Sequence, residues 1–287
     1  MEKRWTVMEL LGWTANYLKE KGFHNARLNA ELLLAGTLGL KRLDLYLQFD
    51  RPLRPDEMAA FKPRLLRRAK REPLQYIDGA AAFRELVLRV DHRVLIPRPE
   101  TERLVQAVLD WARDRDGLAA LDLGTGSGAI ALALATEGPF ARVVGVDVSA
   151  DALEVARANA REAAPDAPAD FRLGSLFDAV AGERFHVVAS NPPYVGEEER
   201  AALDPEVRDW EPAGALFAGA GGLDVIRPLV ARAPAHLEPG GLLAMEIGAA
   251  QAAAVCELVR ATGAFAEPRV IADLAGRDRI VTAELRG

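Results

Sequence analysis

Apolar residues recur at three- and four-residue steps over the first 72 positions, the spacing of helices with one buried face. Val7, Leu10, Leu11 and residues 14–18 predict a first helix. Asn25 stands where it could cap a second, with Leu28, Leu32 and Leu33 on its buried side. A third opens at Asp56 after Pro55 and contains Pro63, which either kinks it or begins a new turn. The pattern then changes to short β-type runs at 86–90 and 93–96 around Asp91 and His92, and a hairpin linking two domains is the simplest reading. Residues 100–114 return to helical spacing, with Leu104, Val105, Val108, Leu109 and Trp111 on the apolar side.

From residue 118 onward strands and helices alternate. Strands are predicted at 118–123, 142–148, 171–173, 185–190 and 241–247, and helices at 127–136, 152–164, 223–237 and 249–261. Residues 265–272 and 279–285 read as a closing antiparallel pair. Such alternation implies an α/β fold, a largely parallel sheet with helices on both faces. The expected organisation is a helical domain at 1–72, a β-hairpin linker at 73–98 and an α/β domain at 99–287.

Composition removes several classes of function. Half of the 287 residues are hydrophobic and 27% are charged, the balance of an ordinary globular protein. The longest apolar run, 129–135, is far short of the ~18 residues a membrane span requires, so no membrane partner is expected. The first residues do not read as a signal peptide. The single Cys256 excludes an internal disulfide and fits a reducing, cytoplasmic location. Four scattered His and one Cys form no metal-ligand spacing, so no metal is expected. Charge is uneven: residues 1–72 hold 15 Lys and Arg against 9 Asp and Glu, while the rest hold 21 against 33. The basic run Lys62-Pro-Arg-Leu-Leu-Arg-Arg-Ala-Lys-Arg is either a solvated helix face or a docking face for an acidic partner. The acidic bulk argues against wrapping a duplex, and no direct nucleic-acid contact is expected.

Two loops carry the candidate chemistry. Asp122-Leu-Gly-Thr-Gly-Ser-Gly-Ala-Ile lies where a strand ends and a helix begins. Gly124, Gly126 and Gly128, with Thr125 and Ser127 between them, allow a tight turn and close approach of a ligand, or simply a compact strand-to-helix connection. Asp147 ends the next strand and can accept both hydroxyls of a ribose; the alternative is a helix cap, which Ser149 could also supply. Nicotinamide and S-adenosyl-L-methionine (AdoMet) folds share this arrangement. The spacing here is Gly-x-Gly-x-Gly rather than Gly-x-Gly-x-x-Gly, and Asp122 can balance the cationic groups of AdoMet.

The second loop, Asn191-Pro-Pro-Tyr, follows an apolar strand at the end where open α/β folds place ligands. Pro192 and Pro193 stiffen the backbone and remove two N–H donors. The Asn191 side-chain oxygen and the Pro192 carbonyl could accept both N–H bonds of a planar –NH₂, with Tyr194 packed against the flat group. Such a nitrogen is a poor nucleophile. Two acceptors would align it with a methyl–sulfur bond and stabilise its developing positive charge. The bland alternative is a rigid turn with a capping Asn.

These residues resemble the class I AdoMet-dependent methyltransferases and, more narrowly, the protein-(glutamine-N5) methyltransferases of peptide chain release factors, the PrmC/HemK family. Asn-Pro-Pro-Tyr alone is shared with DNA adenine-N6 methyltransferases. Its company narrows the match: Pro73-Leu-Gln-Tyr-Ile, Phe83 with Leu86, Leu95-Ile-Pro-Arg-Pro-Glu-Thr-Glu, the glycine turn, Pro205-Glu-Val-Arg-Asp-Trp-Glu-Pro and Glu246-Ile-Gly. The resemblance covers nearly the whole chain. It implies a helical N-terminal domain, a hairpin linker and a Rossmann-like domain whose seven-stranded, mostly parallel sheet has an antiparallel last strand.

It also implies AdoMet as cofactor, held by Gly124 to Gly128, Asp147, Leu176 and Asn191, with Arg98, Glu100 and Thr101 at the cofactor entrance. The glutamine of a Gly-Gly-Gln loop in a release factor would lie against Asn191, Pro192, Pro193 and Tyr194, with Phe83 as a wall. Ser175 and Leu176 depart from the acid and aromatic that family members often carry; Phe177 either compensates or is core. The basic run around Arg67, Arg68, Lys70 and Arg71 is expected to dock a more acidic surface of that partner. Three rivals remain: a nucleic-acid adenine-N6 methyltransferase, a nicotinamide-dependent oxidoreductase, which leaves Asn-Pro-Pro-Tyr unexplained, and a binding module without activity.

Overall fold

A computed structural model describes residues 4–287. The first three positions of the predicted helical domain lie outside the described residues. The chain divides into two compact units, Met1–Gly79 with Pro205–Trp210, and Ala80–Asp204 with Glu211–Gly287. No described helix is long and apolar enough to cross a membrane.

The first unit contains α1 (Val7–Glu20), α2 (Ala26–Leu38), α3 (Arg42–Leu47), α4 (Pro55–Ala69) and α5 (Leu74–Asp78). Thr6 and Glu9 form a reciprocal capping box that starts α1. Val7, Leu10, Leu11 and Leu18 are buried with Leu33, Leu34, Phe61 and Leu65. The face of α2 differs from expectation. Ala26, Asn29, Ala30, Leu33 and Leu34 point inward, while Leu28 is exposed. Asn25 makes no side-chain cap; its carbonyl instead accepts the backbone and side-chain N–H of Asn29. The rotation follows from Asn29, a polar residue that the apolar pattern could not place, being drawn inward by Arg68. Helix α4 continues through Pro63. Pro63 and Ala59, whose carbonyl loses its helical donor, both lie on the solvent side.

The basic run is neither a simple solvated face nor wholly open to a partner, because much of it is used within this unit. Arg67 pairs with Glu72 at 2.6 Å and donates to the Tyr76 carbonyl. Arg68 is buried, lies over the Phe23 ring and donates to Asn29, the Glu72 carbonyl and Glu206. Arg71 also stacks on Phe23, reaches Glu206 and closes the carbonyls of Lys21 and Gly22. Trp210 Nε1 donates to the Lys70 carbonyl at 3.2 Å, so Glu206 and Trp210 explain why Pro205–Trp210 belongs to this unit. Of the four basic side chains named above, only that of Lys70 is left to solvent without a partner among the described residues.

The second unit opens with a hairpin displaced from its predicted place. β1 (Ala80–Phe83) pairs antiparallel with β2 (Leu86–Arg89), turning at Arg84 and Glu85. Residues 93–96 form no strand. The Asp91 carboxylate binds both the backbone N–H and the guanidinium of Arg93, and the Asp91 carbonyl takes the Val94 N–H, which makes a turn where a partner strand was expected. There follow α6 (Pro99–Ala112), β3 (Leu118–Leu123), α7 (Ala129–Glu137), β4 (Phe140–Asp147), α8 (Ala150–Ala163), β5 (Ala169–Leu173) and β6 (Phe185–Ser190). After the four-residue α9 (Pro205–Arg208), part of the first unit, come α10 (Ile226–His236), β7 (Leu237–Glu246), α11 (Ala252–Ala261), β8 (Arg269–Ala272) and β9 (Asp278–Glu284).

The sheet has seven strands in the order β5-β4-β3-β6-β7-β9-β8, with β9 antiparallel to both neighbours and the other pairs parallel. Alternate residues serve opposite faces, the period of a strand. Leu118, Ala120, Val187 and Ala189 enter the core beneath α6, α7 and α8, while Leu121, Leu123 and Val188 enter the core beneath α10 and α11. Strand order reverses between β3 and β6, and open α/β sheets bind ligands beyond the carboxyl ends at such a point.

Candidate active site

Leu123 and Ser190 are paired neighbours at the ends of β3 and β6. The next residues, Gly124 and Asn191, therefore begin the two candidate loops side by side. A Cβ on Gly124 would stand 3.9 Å from the Asn191 carbonyl oxygen. Ser190 Oγ donates to the Leu123 carbonyl at 2.7 Å and ties the strand ends together. Gly124, Gly126 and Gly128 all have positive φ, of 71°, 54° and 82°. At Gly128 a Cβ would also crowd the Phe171 ring at 3.3 Å.

Carboxylates frame the glycine loop. Asp147 Oδ2 accepts the Gly126 N–H at 2.8 Å and Oδ1 accepts the Ser149 N–H at 2.9 Å. Ser149, not Asp147, caps α8, through the Ala152 N–H. Asp147 thus stays half-buried at the loop with a further lone pair on each oxygen. Asp122 is fully buried. Its Oδ2 accepts the Thr125 hydroxyl and the Ala131 N–H, while Oδ1 has no partner among the described residues. Burial pushes its carboxyl up to about 7, with the Thr125 and Ala131 hydrogen bonds opposing. An open glycine backbone, an acid with free lone pairs and an orphaned buried carboxylate oxygen suit a ligand bearing both a ribose and cationic groups.

The Asn191 loop is held from behind. Asn191 Nδ2 donates to Thr101 Oγ1 at 3.1 Å, and Thr101 Oγ1 donates to Glu246 Oε2 at 2.7 Å. The Tyr194 hydroxyl donates to the other Glu246 oxygen at 3.1 Å. Burial and the neighbouring Glu246 charge push the Tyr194 phenol above its usual range. The Tyr194 carbonyl accepts from Gln251, and Gly222 lies so close that a Cβ would fall on that carbonyl oxygen. Asn191 Oδ1 and the Pro192 carbonyl accept no hydrogen bond among the described residues.

Residues 9–79 match the model of the PrmC N-terminal domain, and residues 101–204 that of the methyltransferase small domain. A release factor glutamine methyltransferase of Geobacter sulfurreducens is 46% identical over 277 residues, 96% of each chain. One from Chlorobaculum tepidum is 44% identical over 291 residues, covering 97% of each. The chain belongs to the release factor glutamine methyltransferase family. Its fold is that of the AdoMet-dependent class I methyltransferases. A methyltransferase from Pyrococcus furiosus superposes with a TM-score of 0.54 at 20% identity, over 79% of this chain and 98% of that one. A ribosomal protein L11 methylase from Lactobacillus delbrueckii subsp. bulgaricus gives 0.50 at 18% identity, over 70% and 86%.

Within this methyltransferase framework the two predicted loops meet, and Gly124, Thr125, Gly126, Ser127, Gly128, Asp147, Asn191, Pro192, Pro193 and Tyr194 fall at the ends of β3, β4 and β6. The Thr125 hydroxyl is spent on Asp122, and the Ser127 carbonyl accepts from Asn159. Phe83 does not join them. It is fully buried with Leu86 and Leu104, because its position on β1 points it into the core. Leu176 is half-buried at a φ of 48°, an unusual conformation for a branched side chain. Phe177 is core, stacked on His236 at 4.4 Å between centroids, and so does not replace the missing aromatic. Arg98 is paired with the buried Glu211, which also accepts the Ile96 N–H. Thr101 stands in the first turn of α6 and touches Asn191. Its link to Glu246 spans 145 residues and left no local signal; both residues lie in quoted motifs, but nothing in the spacing joins them.

Proposed function

We propose that this chain transfers a methyl group from AdoMet to the side-chain amide nitrogen, N5, of the glutamine in the Gly-Gly-Gln loop of peptide chain release factors, in the cytoplasm. The observation that carries the reading is the free Asn191 Oδ1 beside the Gly124 turn, with the Pro192 carbonyl also free. The backbone from Gly124 to Gly128 and the Asp147 carboxylate would hold AdoMet, with Leu176 on its adenine side. AdoMet supplies a methyl group on a positively charged sulfur. Asn191 Oδ1 and the Pro192 carbonyl accept the two amide N–H bonds and hold the nitrogen in line. The same acceptors stabilise the positive charge that develops on that nitrogen. No strong base is required beforehand, because the methylated nitrogen becomes acidic and sheds its proton afterwards. The helical unit would dock a second surface of the release factor through its remaining exposed basic side chains, Lys70 among them.

The test is transfer of labelled methyl from AdoMet to purified release factor, beside the same factor with its Gly-Gly-Gln glutamine changed to Ala. Label on the first alone is expected. Label on neither overturns the assignment and sends the search to nucleic acids, which share the Asn-Pro-Pro-Tyr chemistry.

A further inference from the structure

The protons around Asn191 can be counted. Thr101 owns one hydroxyl proton, and its closest polar neighbour is Glu246 Oε2 at 2.7 Å. The hydroxyl donates to that oxygen, so its one proton is committed to Glu246. The Thr101 oxygen then presents lone pairs alone toward Asn191, and the group it receives at 3.1 Å is Nδ2. An amide cannot turn its nitrogen inward without turning its oxygen outward. Tyr194 commits its own proton to the second Glu246 oxygen, so neither carboxylate oxygen is left without a donor.

We propose that Thr101 and Glu246 are positioning residues that fix the orientation of the Asn191 amide, and thereby restrict the site to acceptor groups that fit a side-chain –NH₂ and refuse a carboxylate. The proposal rests on the reading of Asn191 given above. A loose Asn amide would sample both orientations. The flipped orientation would present N–H donors to a substrate amide, with donor facing donor. The relay removes that orientation. It also gives the site a basis for distinguishing glutamine from glutamate, since a carboxylate would meet two acceptor oxygens.

The relay is built into rigid parts of the fold. Thr101 lies in the first turn of α6 and is buried, Glu246 ends the interior strand β7 and is 1% exposed, and Tyr194 follows the two prolines. The charged and titratable groups facing the carboxylate are Tyr194, Arg279 and Glu100. Burial raises the proton affinity of Glu246, while the hydrogen bonds from Thr101 and Tyr194 and the charge of Arg279 oppose it.

Thr101→Val keeps the shape and removes the hydroxyl; Thr101→Ser keeps the hydroxyl and loses a methyl. With release factor as substrate, Thr101→Val is expected to lower kcat at least tenfold, with the AdoMet dissociation constant within twofold of wild type. Thr101→Ser is expected to stay within threefold in kcat. A packing role predicts the reverse order, since Val fills the site better than Ser. Equal kcat for Thr101→Val and wild type overturns the relay. If Thr101→Val fails to fold, Glu246→Gln carries the same test, because its amide offers a donor or an acceptor to Thr101 without preference; wild-type kcat in Glu246→Gln again overturns it. A wild-type enzyme that leaves release factor unlabelled refutes the functional reading itself, and the relay with it.

Discussion

The two units each bury a polar cluster, and the clusters are finished differently. In the helical unit, each of the three Arg68 guanidinium nitrogens donates: Nε to Asn29 at 2.6 Å, Nη1 to the Glu72 carbonyl at 2.8 Å and Nη2 to Glu206 at 3.0 Å. The guanidinium plane is covered by Phe23. In the α/β unit, the Glu246 cluster passes its hydrogen bonds outward through Thr101 to Asn191 and stops, with an acceptor oxygen left over. A closed cluster is structure, because satisfied buried groups rigidify and nothing remains to bind. An open one has chemistry to offer.

The largest expected effect breaks the open cluster at its end. Asn191→Ala should lower kcat on release factor by roughly a hundred- to a thousandfold, the cost of removing one oriented group that stabilises developing charge. AdoMet binding, measured by calorimetry, should persist, since the glycine loop and Asp147 make their contacts without the Asn191 side chain. Near-normal turnover would mean that the spare acceptor is idle, and the contrast between the clusters would collapse. The matching change in the closed cluster is Glu206→Ala, which strips the buried Arg68 of its counter-charge. Removing one partner of a pair that is buried at Arg68 but 23% exposed at Glu206 costs about 1–3 kcal/mol. Urea melts should therefore show a loss of that order in the transition of the helical unit, with AdoMet affinity unchanged. A loss below about 1 kcal/mol would show that the Arg68 charge is already met by solvent.

The same contrast explains what the sequence could convey. The α/β alternation, the ends of 118–123 and 185–190, and the placement of both loops at those ends are legible, because strand period, glycine turns and proline pairs are local signals. The hairpin was misplaced because Arg93-Val-Leu-Ile has β-type composition, and only the Asp91 carboxylate turning onto Arg93 forbids pairing. The burial of Phe83 follows from the alternation on β1, a strand too short to announce itself in the pattern. The α2 face and the internal use of the basic run are not legible for one reason: Arg68 is buried by partners 39 and 138 residues away, and a periodicity argument assigns arginines to water. The Thr101–Glu246 link escaped for the same cause.

Asp122 stands between the two designs, with two donors on one oxygen and none on the other, and its effect is confined to a window of pH. Its folded carboxyl is raised from 3.8 to about 7 by burial. The folded chain therefore holds a proton that the unfolded chain has released across that window. Stability from this group is fully present below about pH 4 and falls as pH rises toward 7, by about 1.4 kcal/mol per unit at the steepest. Carboxylates whose values are lowered, such as Glu31 beneath Tyr46 and Arg42, act in the opposite sense at lower pH, so the wild-type curve alone mixes the two. Subtracting the stability of Asp122→Asn, which keeps the shape but cannot titrate, isolates the single group. The difference should slope downward between about pH 4 and 7 and be flat above. A flat difference throughout would place Asp122 with the closed cluster, its second oxygen satisfied by a bound water. A slope that disappears on adding saturating AdoMet would place it with the open one, its orphaned oxygen facing the cationic end of the ligand.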